Sequence, residues 1–254
     1  MSLVLSTLQQ SWLQEIQIAT PFIAPYREKV ESLKPAANVL APTRFKKTTP
    51  AVEMPVVTPV KATDLTQMNL LQLQAHTEQC QGCDLHQQRT KVVWGAGQTQ
   101  QPDWFVVSTA PSSHEELAGL PMQGKSGELF AAQMQSIGIN IEQQMYLTQL
   151  LKCRSQQSGA SSLEHIQACK AILLRQIELM QPQRLLLLGS KAAAMFLGSE
   201  QSFEALCGRL LSWQDTQGRI LPVVVSYHPA SLLLRPQLKA QTWQDLLLMQ
   251  QTMR

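Results

Sequence analysis

Four short apolar runs recur along this chain: Trp104–Val107, Met145–Leu150, Arg184–Leu188 and Val223–Ser226. Runs this short, apolar throughout rather than alternating, predict strands buried on both faces. Between and after them, Gly127–Ile137, Leu163–Met180, Lys191–Leu197 and Trp243–Met253 carry apolar residues at helical spacing. Ser161 with Glu164 three residues on predicts the start of one helix, and Ser190 with Gly198 brackets another. A further helix is predicted over Asp64–Cys80, capped by Asp64 and using Leu65, Met68, Leu71 and Leu73. Strands alternating with helices predict an α/β fold, a three-layer αβα arrangement around a four-stranded, mostly parallel sheet.

Ahead of that pattern the chain reads differently. Leu5, Leu8, Trp12, Leu13 and Ile16 fall at helical spacing before two prolines stop the run. Residues 34–63 hold Pro35, Pro42, Pro50, Pro55 and Pro59 among Ala, Thr, Val and Lys with no periodicity. That composition predicts an extended, disordered tether. The expected organisation is a docking peptide over 1–33, a Pro-rich linker over 34–63 and a globular domain over 64–254. Trp12, Leu13, Ile16 and Ile18 are the expected partner-binding positions.

Composition narrows the classes. Hydrophobic residues make up 44% of the 254, enough for a packed core, and the net charge is only +3. A balance so mild permits nucleic-acid binding without demanding it. With no bilayer-spanning apolar run and no secretory leader pattern, the expectation is a soluble, cytoplasmic protein with no membrane partner. Five cysteines without a secretory signal argue against a disulfide scaffold. Cys80 and Cys83 form CQGC, Cys153 follows the second apolar run, and Cys169 lies in a predicted helix. Four thiolates in that arrangement suit an iron–sulfur cluster or zinc, and buried free thiols are a third reading. Cys207 reads as a buried thiol.

One stretch has the form of a ligand crevice. Trp104 to Gly127 runs from an apolar strand through a Pro-Ser-Ser turn and a glycine-rich passage into a helix. Open α/β sheets build binding sites at such strand ends.

Taken together, CQGCDLHQQRTKVVWGAG, YLTQLLKCR, LLLLGSKAA and SYHPASLLLRP resemble, in order and spacing, the iron–sulfur uracil-DNA glycosylases, family 4 of their superfamily. The likeness runs from about Gln79 to the C-terminus. It implies a glycosylase-like domain in which Cys80, Cys83, Cys153 and Cys169 hold a 4Fe-4S cluster, zinc being the less favoured metal. It also places Thr109, Pro111, Ser112, Met122 and Gly124 in the base pocket and DNA-facing loop.

The family's catalytic parts map unevenly. Its Gly-Glu-Ala/Gly-Pro-Gly motif reads Ser108-Thr109-Ala110-Pro111-Ser112, so the carboxylate is absent. Its base-stacking Pro-Phe is Pro121-Met122, its base-reading Asn is Gln149, and its Arg-Gly is Cys207-Gly208. His228, in HPAS, is retained and by resemblance stabilises the leaving uracil O2. Glu115 and Glu116 stand in the family's acidic tail to the motif rather than at its catalytic position. His114 reads as a solvated loop residue, and His76, His86 and His165 as surface or core residues.

These departures lead to the expectation of a catalytically degenerate scaffold. SWLQEIQIATPFIAPYR resembles the N-terminal peptide of the psi subunit of the bacterial DNA polymerase III clamp loader. The expected function is therefore a psi-like accessory role in replication, with clamp-loader or other replication proteins, and DNA, as partners. The alternative is an active family 4-like uracil-DNA glycosylase in base excision repair, using His228 and Gln149.

Overall fold

The computed structural model describes residues 65–155, 162–197 and 201–253. The docking peptide, the tether, Asp64, Ser161 and Gly198 lie outside these residues. No helix among them is long and apolar enough to cross a membrane.

Trp104–Ser108 (β2), Met145–Gln149 (β3), Arg184–Leu188 (β4) and Ile220–Ser226 (β6) form the parallel centre of the sheet. The sheet has six strands rather than four. Ala96–Gly97 (β1) and Leu211–Gln214 (β5) add antiparallel edges, giving the order β1-β3-β2-β4-β6-β5. Neither edge strand announces itself in the sequence. In β1 a Cβ on Gly97 would lie 2.2 Å from the Met145 carbonyl oxygen, so glycine is what permits the pairing. β5 alternates between half-buried and exposed positions and returns into β6 through the Asp215–Gly218 turn.

The central strands are apolar throughout because both faces are covered. Phe105, Val107, Tyr146, Leu185, Leu187, Val223 and Val225 pack on one side against Ile166, Cys169, Leu173 and Ile177 of Leu163–Met180. Trp104, Val106, Leu147, Leu186 and Val224 pack on the other against Phe130 and Met134 of Lys125–Ser136 and Trp243, Leu246 and Met249 of Lys239–Gln251. The period of two along each strand sorts these side chains between the layers.

In chain order the helices are Leu70–Glu78 (α1), Leu85–Gln88 (α2), Ser113–Ala118 (α3), Lys125–Ser136 (α4), Ile141–Gln144 (α5), Leu163–Met180 (α6), Ser190–Leu197 (α7), Phe203–Leu206 (α8), Pro229–Leu234 (α9) and Lys239–Gln251 (α10). Several predicted starts move: α4 begins at Lys125 rather than Gly127, and α10 at Lys239 rather than Trp243. The helix expected over Asp64–Cys80 is a 3-10 turn at Leu65–Gln67 followed by α1, because Asn69 and Gln72 form a reciprocal capping box. Likewise α6 is capped by Ser162, with His165 rather than Glu164 returning the bond. His165 also pairs with Asp84, tying α6 to the start of α2.

Strand order reverses direction at β2, with β3 on one side and β4 on the other. The crevice outside the carboxyl ends of β2, β3, β4 and β6 is therefore where such a sheet places its ligand.

Candidate active site and cysteine cavity

β2 ends at Ser108, and the chain stays in register for two more residues as Leu150 and Leu151 donate to the Ser108 and Thr109 carbonyls. Pro111 is buried, and exposed Ser112 caps α3. Reciprocally, Ser112 receives the Glu115 N–H while the Glu115 carboxylate receives the Ser112 N–H at 2.7 Å.

Glu115 does more than cap. Its buried carboxylate also accepts the Met122 N–H at 2.6 Å and the Gln149 amide at 3.2 Å. One side chain thereby joins the β2 loop, the Pro121-Met122 turn and the end of β3. Met122 itself is buried with φ +54, a left-handed conformation rare for a side-chain-bearing residue. A Cβ on Gly127 would sit 1.8 Å from the Met122 carbonyl oxygen, so the first turn of α4 closes directly on this loop. Gly124, at φ +70, supplies the turn into α4 and lies beside exposed His114. Glu116 is also engaged, accepting the Thr90 N–H at 2.8 Å and pairing with Arg154.

Gln149 is fully buried at the carboxyl end of β3. Carboxylates only accept, so the nitrogen of its amide must face Glu115, and the amide orientation is fixed by chemistry. Its carbonyl oxygen Oε1 then has no hydrogen-bond partner. The backbone carbonyl of Gln149 is held from below by Lys152, whose ammonium also donates to Thr148 and Gln176.

His228 follows β6 and caps α9, its Nδ1 accepting the Ala230 N–H at 3.1 Å. Burial pulls the imidazole below its ordinary value, against the opposing charge of Glu115. A neutral ring with Nδ1 accepting carries its proton on Nε2, which is the tautomer able to donate to a ligand oxygen.

On the other side of β3, Cys80, Cys83, Cys153 and Cys169 line one cavity with Arg89 and Lys152. No disulfide links them. Among the described residues no group of His, Cys, Asp or Glu is drawn tightly enough together to hold a single metal ion. The donor chemistry nevertheless fits a thiolate-ligated group. Gly82 N–H and Arg89 Nη1 donate to the Cys80 and Cys153 sulfurs. Burial raises the Cys83 and Cys153 thiols and pushes Cys169 up to about 11. Such thiols ionise when a metal takes the proton's place. Burial also lowers Lys152 to about 7, opposed by the charges of Cys169 and Cys153. Cys207 lies apart from this set, buried near Asp245 and pushed up to about 12 by burial first and then by the charges of Asp245 and Glu204.

Several of these residues carry no motif. Lys152 stands inside Lys-Cys-Arg, yet nothing in the sequence shows that it is buried. Asp245 receives the Gly208 N–H and the Ser226 hydroxyl, tying α10 to the end of β6 two residues before His228. The Glu115 role did have a signal: Ser-x-x-Glu at Ser112–Glu115 is a capping box. His86, without a visible partner in sequence, meets the Cys83 carbonyl.

The superfamily model for uracil DNA glycosylases matches residues 94–247, so the chain belongs to the uracil DNA glycosylase superfamily. Its relatives within it include the type-4 uracil-DNA glycosylase of Archaeoglobus fulgidus, 32% identical over 171 residues, covering 65% of this chain and 84% of that protein. Those of Pyrobaculum aerophilum and Thermotoga maritima are 30% and 31% identical, covering 70% and 61% of this chain and 92% and 79% of theirs. Relatives from Sulfurisphaera tokodaii and Saccharolobus solfataricus bear the same description. These five glycosylases overturn the expectation of a degenerate, psi-like clamp-loader subunit. The peptide positions behind that expectation, Trp12, Leu13, Ile16 and Ile18, fall outside both the matched span and the described residues.

Proposed function

We propose that this chain is a type-4 uracil-DNA glycosylase, hydrolysing the bond between uracil N1 and deoxyribose C1′ to leave an abasic site. The observation that carries the reading is Gln149. A buried amide carbonyl without a partner, oriented by a carboxylate behind it, calls for a donor such as uracil N3–H. Cytosine presents a lone pair at that position, and the same carbonyl repels it.

The chain's residues divide the work as follows. Bond cleavage sends the C1′–N1 electron pair into the base, and His228 Nε2–H stabilises the charge that develops on O2. Met122 closes the pocket where the family stacks a phenylalanine. Water adds to the sugar cation and gives its proton to solvent, since Thr109 can hold a water by hydrogen bonding but cannot take its proton. The uracil anion takes up a proton from solvent, leaving uracil and the abasic sugar as products.

Cys80, Cys83, Cys153 and Cys169 would hold a 4Fe-4S cluster. Bound there, it would cross-link the α1–α2 connection, the segment after β3 and α6, and would supply structure rather than the reaction. The test is to incubate anaerobically purified protein with uracil-containing DNA and measure free uracil by mass spectrometry. Wild type releases uracil and His228→Ala releases at least ~100-fold less. Equal release by both would remove His228 from the mechanism, and none by wild type would end the proposal.

A further inference from the structure

Gln149 is not the only unpartnered polar atom at this strand end. The Ser108 hydroxyl is 1% exposed and also lacks a hydrogen-bond partner. The two residues are directly paired across the parallel ladder of β2 and β3. Alternation turns both side chains to the face that carries Val106 and Leu147. Adjacent strands lie about 4.8 Å apart, so the two unsatisfied polar side chains are immediate neighbours on one face of the sheet. Buried polar groups are rarely left so, and two side by side imply a shared occupant.

Glu115 determines what Gln149 can offer that occupant. One amide proton is committed to the carboxylate, and the carbonyl is left open. An asparagine amide reading uracil serves both N3–H, through its oxygen, and O4, through its nitrogen. Here one of the nitrogen's two N–H bonds is spent on Glu115, and a second donor beside the amide can share O4. Ser108 supplies a hydroxyl where the family pattern has a glycine.

We propose that Ser108 and Gln149 form a two-point reader of one base edge, Gln149 Oε1 accepting N3–H and Ser108 Oγ donating to O4. This deepens the uracil-excising reading and rests on it. The hydroxyl is a specificity element, because a base whose O4 acceptor is weakened loses its bond while one lacking N3–H is rejected by Gln149.

The test uses single-stranded DNA carrying one cleavage-resistant 2′-fluorinated deoxyuridine, its 4-thio analogue, its N3-methyl analogue, or deoxycytidine as control. Affinity is read by fluorescence anisotropy for wild type, Ser108→Ala and Ser108→Gly, the last restoring the family residue. Wild type binds the uracil strand about tenfold more tightly than the 4-thio strand, the scale of one neutral hydrogen bond. Both variants bind those two strands equally, and all three proteins bind the N3-methyl strand no better than the deoxycytidine control. If the Ser108 variants keep the wild-type preference, a buried water occupies the space and the two-point reader is overturned, with uracil reading intact. If wild type does not prefer the uracil strand over the deoxycytidine strand, the functional reading fails and takes this inference with it.

Discussion

Replacing Asp245 by Asn should stabilise this protein at neutral pH. Asp245 is fully buried, and burial raises its carboxyl from the ordinary 3.8 to about 6, outweighing the lowering bonds from Ser226 and Gly208. At about 1.4 kcal/mol per pH unit, holding the ionised carboxylate costs about 3 kcal/mol above pH 6. In the fold the group binds its proton more tightly than in the unfolded chain. This contribution therefore favours unfolding above pH 6 and is relieved progressively as pH falls from 6 to below 4. Asparagine is isosteric and neutral. Its oxygen can accept the Gly208 N–H, and its nitrogen can donate to a Ser226 hydroxyl turned to accept. Urea unfolding of wild type and Asp245→Asn at pH 8 and pH 4.5 reads the effect. The variant should gain about 1–3 kcal/mol at pH 8, less at pH 4.5, where both proteins carry a neutral group. A loss of stability at pH 8, or the same difference at both pH values, would refute the reasoning.

Other positions give separate outcomes. Gly127→Ala places a methyl 1.8 Å from the Met122 carbonyl and should destabilise by about 3 kcal/mol in urea titration; an unchanged midpoint would show that the loop does not close on α4. Thr109→Glu restores a carboxylate to the first motif and should raise single-turnover uracil release roughly 100-fold. No gain would mean water activation does not limit this chain. Cys153→Ser should reduce bound iron and the visible absorbance of protein purified without oxygen, whereas Cys207→Ser should leave both unchanged. Equal iron loss from the two would break the assignment of ligands.

What the sequence shows plainly is what burial on two faces imposes. β4 and α6 fall where the periodicity places them, and β2 and β3 differ by a residue. The edges were hidden for opposite reasons. β1 is two residues of a glycine-rich passage whose pairing depends on lacking a side chain, while β5 is half-exposed and short. α3 carries a legible Ser-x-x-Glu start but is only six residues long. At the site, Thr109, Met122, Gln149 and His228 are picked out only by the resemblance to the glycosylase family, which also chooses among the readings that cysteine spacing leaves open. Their contacts cannot be read that way. That Glu115 fixes the Gln149 amide depends on a contact 34 residues apart. The Ser108 hydroxyl gains significance only from its register with Gln149, which belongs to the sheet and not to either segment alone. The missing carboxylate points to an inactive scaffold, an expectation that the five type-4 relatives overturn, while Gln149 and His228 still stand at the carboxyl ends of β3 and β6.

Single-turnover uracil release from single-stranded DNA, by iron-loaded wild type and Gln149→Leu, tests the account most directly. Leucine keeps the volume and removes the open carbonyl. Wild type should convert uracil sites to alkali-labile abasic sites, and Gln149→Leu should do so at least ~100-fold more slowly. No release by iron-loaded wild type, or equal rates for the two proteins, would contradict it.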